Sequence, residues 1–199
     1  LRLNPDVDAA THAKITTGKA ENKFGIGWPQ ARDIYDRAAQ LPGLEVVGAA
    51  IHIGSQITEL GPFEEAFGFL VAAVEALRGD GHDIRRLDLG GGLGIPYGQE
   101  EPPPPAQYGA LVRRLTAPLG CRLVLEPGRV IVGNAGLLVT RVIYLKETTN
   151  RCFVIVDSAM NDFMRPSLYD ARHQVVPVRE PREIPALQPV DIVGPICES

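Results

Sequence analysis

Up to residue 130 the apolar positions alternate between two rhythms. Ala31, Ile34, Tyr35, Ala38 and Ala39 recur at helical spacing behind Pro29, a residue favoured in the first turn of a helix. Residues 44–53 are a nearly continuous apolar run of the kind that fills a buried strand. Pro62 opens a second helix, with Phe63, Phe67, Leu70, Val71 and Val74 on one face and Gly79 as a stop signal. Residues 86–89 predict a short strand, 106–115 a third helix and 123–125 another short strand. The strands recur at intervals of about 35–45 residues, which suits βαβ units and a parallel sheet. An open doubly wound sheet and a (β/α)8 barrel share this rhythm.

Past residue 130 the pattern changes. Residues 135–145, 152–156, 175–178 and 191–196 read as extended, with turn residues between them and no helical period. The expected organisation is therefore an α/β domain over 1–132 and a mostly β domain over 133–199. A whole barrel needs about 250 residues, so 1–132 reads as the C-terminal half of a (β/α)8 barrel. A complete small α/β domain with a β appendage is the competing reading. A half barrel leaves sheet edges unpaired, and little independent stability is expected of it. The first residue is Leu, and Cys197, Glu198 and Ser199 follow directly on a strand-like run, so both ends read as cut.

Composition narrows function more than fold. The 199 residues are 45% hydrophobic with a formal charge of −4, as in ordinary globular proteins. That balance gives no electrostatic reason to expect nucleic acid or an acidic membrane surface as partner. No apolar run approaches the roughly 20 residues that span a bilayer. Cys121, Cys152 and Cys197 cannot all pair and match no zinc spacing, so no metal is expected. A reducing compartment, the cytoplasm, fits best.

The chemistry lies where the strands end. The first strand runs into His52, Gly54, Ser55 and Gln56, the second into Gly90, Gly91 and Gly92, the third into Glu126, Gly128 and Arg129. In a barrel the C-terminal strand ends open on one face, where active sites sit. The triple glycine lets backbone amides approach a phosphate, although a tight turn explains it equally. It is not the dinucleotide fingerprint, because Ile95 stands where the third glycine is required. Arg129 reads either as an anion-binding group or as a surface ion pair. His52 reads as a hydrogen-bonded core residue or, with Ser55 beside it, as part of a site. Glu126 is either a structural carboxylate or a group that keeps a proton on a ring nitrogen. Cys197 is a small buried hydrophobe or a reactive thiol, and Glu198 beside it argues against full burial. Cys121 and Cys152 take the structural reading. Asp157, Asn161, Asp162 and Arg165 form a polar cluster that a solvated loop would also explain.

Seven segments, taken in order, carry a resemblance. They are Arg2-Leu3-Asn4-Pro5-Asp6-Val7, Lys23-Phe24-Gly25-Ile26, His52-Ile53-Gly54-Ser55-Gln56-Ile57, residues 90–96, Glu126-Pro127-Gly128-Arg129, residues 157–169 and residues 194–199. Together with His12-Ala13-Lys14-Ile15-Thr16-Thr17-Gly18, they resemble the diaminopimelate decarboxylases, within the alanine-racemase-like (fold type III) pyridoxal-phosphate enzymes. The resemblance to the ornithine and arginine decarboxylases is weaker. The resemblance to the diaminopimelate decarboxylases implies pyridoxal 5'-phosphate as cofactor and removal of CO2 from meso-2,6-diaminopimelate to give L-lysine, the last step of lysine biosynthesis. His52 would stack on the cofactor ring. Ser55, Gly91, Gly92, Gly128 and Arg129 would surround the phosphate, and Glu126 would pair with the pyridinium nitrogen. Arg129, Arg165, Tyr169 and Glu198 would recognise the substrate's charged ends. Cys197 would return a proton to the substrate carbon, within the active site of a partner subunit in a homodimer.

One departure stands beside this. The family holds the cofactor aldehyde through a lysine in a segment like Tyr-Ala-x-Lys-Ala-Asn. Lys14, Lys19, Lys23 and Lys146 are the only lysines here, and none has that context. The chain by itself is expected to be inactive. A decarboxylase of another basic amino acid, such as ornithine or arginine, and a non-catalytic homologue that binds a partner subunit remain the alternatives.

Overall fold

The computed structural model describes residues 1–9, 18, 23–179 and 188–196. They fall into two compact units, Leu1–Ala135 and Gly136–Ser199.

The first unit is an α/β structure. It contains strands β1 (Leu3–Asn4), β2 (Ile26–Gly27), β3 (Gly48–Ala50), β4 (Arg86–Asp88) and β5 (Arg122–Val124). Its helices are α1 (Trp28–Gln40), α2 (Gly61–Gly79), α3 (Pro105–Thr116) and the single turn α4 (Arg129–Val132). β3, β4 and β5 lie side by side and parallel, with Gly48, Arg86 and Arg122 in register. β1 pairs parallel with β2 and touches β3 through one Arg2–Ala50 bridge.

Helical spacing in the sequence becomes burial in the structure. α1 has proline in its first turn and buries Ala31, Tyr35 and Ala38, while Ala39 faces outward. The Tyr35 hydroxyl donates to the Gly48 carbonyl at 3.1 Å, which ties α1 to the start of β3. α2 buries Phe63, Ala66, Phe67, Leu70, Ala73, Val74 and Leu77. The Tyr108 ring of α3 stands edge-on to Phe63 at 5.0 Å and to Phe67 at 6.0 Å. Each buried Phe, Leu or Val side chain among them stabilises the fold by about 1.5–3 kcal/mol. Together with Ala49 and Leu87 from the sheet they form the core that holds the strand ends in place.

The strand expected over residues 44–53 is shorter than the apolar run suggested. Leu44 sits in a turn, its N–H donating to the Leu41 carbonyl at 3.3 Å, and its side chain is exposed. The ladder ends with Ile51, whose N–H donates to the Asp88 carbonyl at 2.9 Å. At His52 the chain leaves the sheet, and the His52 carbonyl accepts from Arg2 Nη2 at 3.0 Å.

In the second unit, β6 (Val142–Glu147) pairs antiparallel with β7 (Cys152–Val156), and β7 pairs parallel with β8 (Asp191–Val193). The structure departs from expectation here in three places. Residues 175–178 form no strand, and Val175, Val176 and Val178 are exposed. Residues 165–169 form a short helix, α5 (Arg165–Tyr169), which the sequence did not suggest because five residues are too few to display a period. The extended run expected from 135 begins as a strand only at Val142.

Candidate active site

Three strand ends of the first unit meet at one edge of the sheet. Gly91 makes that convergence possible: a Cβ there would collide with the Glu126 carbonyl oxygen. Gly92 has φ +104, and its Cβ would collide with the Gly54 carbonyl. The loops are then bonded to each other. Glu126 N–H donates to the Gly90 carbonyl at 2.8 Å, Ile57 N–H to the Gly92 carbonyl at 2.9 Å, and Gly94 N–H to the Ile57 carbonyl at 3.0 Å.

His52 is held by this frame. Gly91 N–H donates to His52 Nδ1 at 3.2 Å, so Nδ1 is an acceptor and the ring proton of the neutral imidazole sits on Nε2. Burial lowers the pKa of His52 from its ordinary 6.5, and the nearby Arg2 guanidinium lowers it further, against the pull of Glu126 and Asp88. Glu126 Oε2 lies 3.9 Å from the same Nδ1, beyond hydrogen-bond distance. With the ring neutral, this is no ion pair. The Glu126 side chain is exposed.

Three backbone amides of the glycine run already have partners. Gly90 N–H is engaged by the Asp88 carboxylate at 3.0 Å, Gly91 N–H by His52 and Gly94 N–H by Ile57. Ser55 lies half-buried between His52 and Gln56, and Gly128 is exposed at the start of α4. Arg129 Nη1 donates to Gln56 Oε1 at 3.1 Å, and its guanidinium lies 5.7 Å from the Tyr97 ring centre. Gln56 and Tyr97 were not singled out in the sequence as site residues.

The second unit holds the other expected residues. The Arg165 guanidinium lies 5.7 Å from the Tyr169 ring, and its Nε donates to His173 Nε2 at 3.4 Å. Asp157 accepts from Arg141 N–H at 2.8 Å and from Thr140 Oγ1 at 2.7 Å, bonds that hold its carboxyl below the usual carboxylate range. Asp162 accepts from Ala159 N–H at 3.0 Å and closes a turn. Cys197 and Glu198 lie outside the described residues. Among the described residues, no helix is long and apolar enough to cross a membrane, and no three His, Cys, Asp or Glu side chains gather as metal ligands.

The family model described as "Pyridoxal-dependent decarboxylase, pyridoxal binding domain" matches residues 1–133. The chain belongs to this family of pyridoxal-dependent decarboxylases. Its cofactor is pyridoxal phosphate, and the site fits that group. It offers a neutral imidazole ring, a carboxylate near it, and loops that meet where Gly91 and Gly92 leave no room for a Cβ.

Among similar decarboxylases, the Pseudomonas fluorescens diaminopimelate decarboxylase is 54% identical over 199 residues, covering 100% of this chain and 47% of that protein. The crystal structure of the Helicobacter pylori diaminopimelate decarboxylase, complexed with L-lysine, matches with a TM-score of 0.93 at 41% identity, covering 100% of this chain and 49% of that one. The arginine decarboxylase of Paramecium bursaria Chlorella virus shares the fold, with a TM-score of 0.78 at 24% identity, covering 100% of this chain and 52% of that one. The chain thus spans about half the length of the curated relatives it matches.

Proposed function

We propose that the whole protein is a pyridoxal-phosphate enzyme that removes CO2 from the D-centre of meso-2,6-diaminopimelate and yields L-lysine, the last step of lysine biosynthesis. The observation that carries this reading is the meeting of His52, Gly91 and Glu126 at one sheet edge, with Arg129 beside them. The likeness to diaminopimelate decarboxylases, one of them with L-lysine bound, supports the substrate.

Residues 1–132 are the C-terminal half of a (β/α)8 barrel, and 133–199 belong to the β-rich domain that follows. The parallel β3-β4-β5 sheet supports this, with helices between its strands and polar residues at its C-terminal ends. Among the described residues β5 pairs on one side alone, and its other edge is where a further barrel strand would pair.

When bound, pyridoxal phosphate supplies an electron sink for the pair left behind by departing CO2. Glu126 holds the proton on the ring nitrogen. His52 offers its neutral face to the ring, and the Gly91 amide keeps it in that tautomer. Ser55, Gly91, Gly92, Gly128 and Arg129 border the phosphate, with Gly91 acting as spacer because its amide is already engaged. Arg129, Arg165, Tyr169 and Glu198 bind the charged ends of the substrate. A guanidinium grips a carboxylate bidentately, and Glu198 takes an ammonium. Cys197 gives its thiol proton to the carbon that lost its carboxylate. Cys197 and Glu198 do so in the site of a partner subunit, so the protein is a homodimer. The three cysteines without a zinc pattern support a cytoplasmic location.

The full-length protein, assayed for CO2 release on meso-diaminopimelate, ornithine and arginine, is expected to act on the first alone. Cys197→Ala should nearly abolish turnover. Preference for ornithine or arginine would overturn the substrate, and normal turnover in the Cys197 variant would overturn the role of the thiol.

A further inference from the structure

Gln56 is the residue of this site that its sequence least announces. Its backbone sits at φ +60, a left-handed conformation that few residues other than glycine, asparagine and aspartate adopt readily. A strained residue at a site calls for a compensating contact, and the Gln56 side chain makes three. Nε2 donates to the Ile95 carbonyl at 2.5 Å, Oε1 accepts from Ile95 N–H at 3.3 Å, and the same Oε1 accepts from Arg129 Nη1 at 3.1 Å. One carboxamide therefore joins the loops that follow β3, β4 and β5. Ile95 is also packed closely against Gly133, where a Cβ would collide with its Cδ1. The Arg129 guanidinium contacts both the Gln56 carboxamide and the Tyr97 ring.

We propose that Gln56 is a positioning residue: by gripping the Ile95 peptide and the Arg129 guanidinium together, it aims Arg129 at the substrate carboxylate. The inference rests on the reading of Arg129 as a carboxylate-binding group. Glutamine suits the task because it donates and accepts at once and carries no charge, so it leaves the guanidinium's charge for the ligand. A glutamate would neutralise that charge, and a shorter side chain would not reach.

Gln56→Asn separates this role from a structural one. Asparagine tolerates the left-handed backbone better than glutamine, so a residue needed only for the turn would be replaced without loss. A positioning residue would not be, because the shortened side chain loses Ile95 and Arg129. In the full-length holoenzyme, Gln56→Asn is expected to raise KM for meso-diaminopimelate at least about tenfold, the lower end of what a hydrogen bond to a charged group is worth. The dissociation constant of L-lysine, read from the cofactor absorption band, should rise in parallel. The unliganded cofactor spectrum should stay unchanged, since Gln56 is bonded to Ile95 and Arg129 and not to the His52–Glu126 pair. Adding Gln56→Asn to Arg129→Ala should change KM no further.

Unchanged KM and lysine affinity in Gln56→Asn, or effects that multiply in the double variant, would overturn the inference. If Arg129→Ala itself leaves both quantities unchanged, the reading of Arg129 fails and this inference with it. An effect of Arg129→Ala without one of Gln56→Asn sinks the positioning role alone. Should Gln56→Asn fail to fold, Gln56→Met keeps the length, removes both polar atoms and is expected to raise KM equally.

Discussion

Two strands of the same sheet have opposite fates. On β4, Leu87 is fully buried in the core it shares with α2, whose Phe63, Phe67, Leu70 and Leu77 are each at most 1% exposed. On β5, one strand away, Leu123 and Val124 are 39% exposed, and Leu125 after it is 47% exposed. β6 resembles β5, with Val142, Ile143, Tyr144 and Leu145 all more than half exposed. The strands are similarly apolar, so sequence alone does not tell them apart. What differs is whether the chain provides a layer to cover them. An apolar strand open on its face and edge is a surface awaiting cover, and the half-barrel reading says that the rest of the barrel supplies it to β5.

The largest effect expected from this contrast is on the 199-residue chain alone. It should melt without a sharp transition and bind a hydrophobic dye, whereas the full-length protein should melt cooperatively and bind little. A cooperative melt of the isolated chain as a monomer would break the comparison.

Single truncations in the full-length protein sharpen it. Phe67→Ala should cost about 3–5 kcal/mol in a denaturant titration, because Phe67 is already enclosed. Leu123→Ala should cost about 2–5 kcal/mol if further strands cover β5, and within about 0.5 kcal/mol of zero if its present exposure is its final state. The small value would contradict the half-barrel reading.

A smaller effect is expected at His52, on the border between the packed and the open side. Burial sets its folded pKa below the 6.5 of the unfolded chain. The stability contributed by the neutral ring is therefore fully present above pH 6.5 and is lost as pH falls through the lower folded value. His52→Gln should flatten the stability–pH curve on the acid side of 6.5 and leave its alkaline side unchanged. An acid limb of unchanged slope would show that the buried ring does not titrate in this way.

The same contrast explains what the sequence made legible. α1 and α2 could be read because proline marks their starts and their buried residues recur at helical spacing. The parallel sheet followed from the alternation of strand and helix. The length of β3 did not, because Leu44 and Val46 are as apolar as Ile51 yet lie outside the ladder. The five residues of α5 carry no period, and the valines of 175–178 look like a strand but pair with nothing among the described residues. At the site, His52, Glu126 and Arg129 stood out by their place at strand ends. The Gly91 amide bonded to His52, the Gln56 grip on Ile95 and the Arg165–His173 contact are tertiary facts with no periodic signature.

The central claim is that His52, Gly91 and Glu126 form one cradle whose carboxylate keeps the cofactor ring protonated. Glu126→Gln in the full-length protein tests it most directly, with pyridoxal-phosphate affinity and CO2 release from meso-diaminopimelate measured on the same preparation. The expected result is cofactor binding retained within about tenfold and CO2 release reduced by about 100-fold or more, the scale on which a positioned proton matters. Turnover left intact in Glu126→Gln, with the cofactor bound, would contradict it.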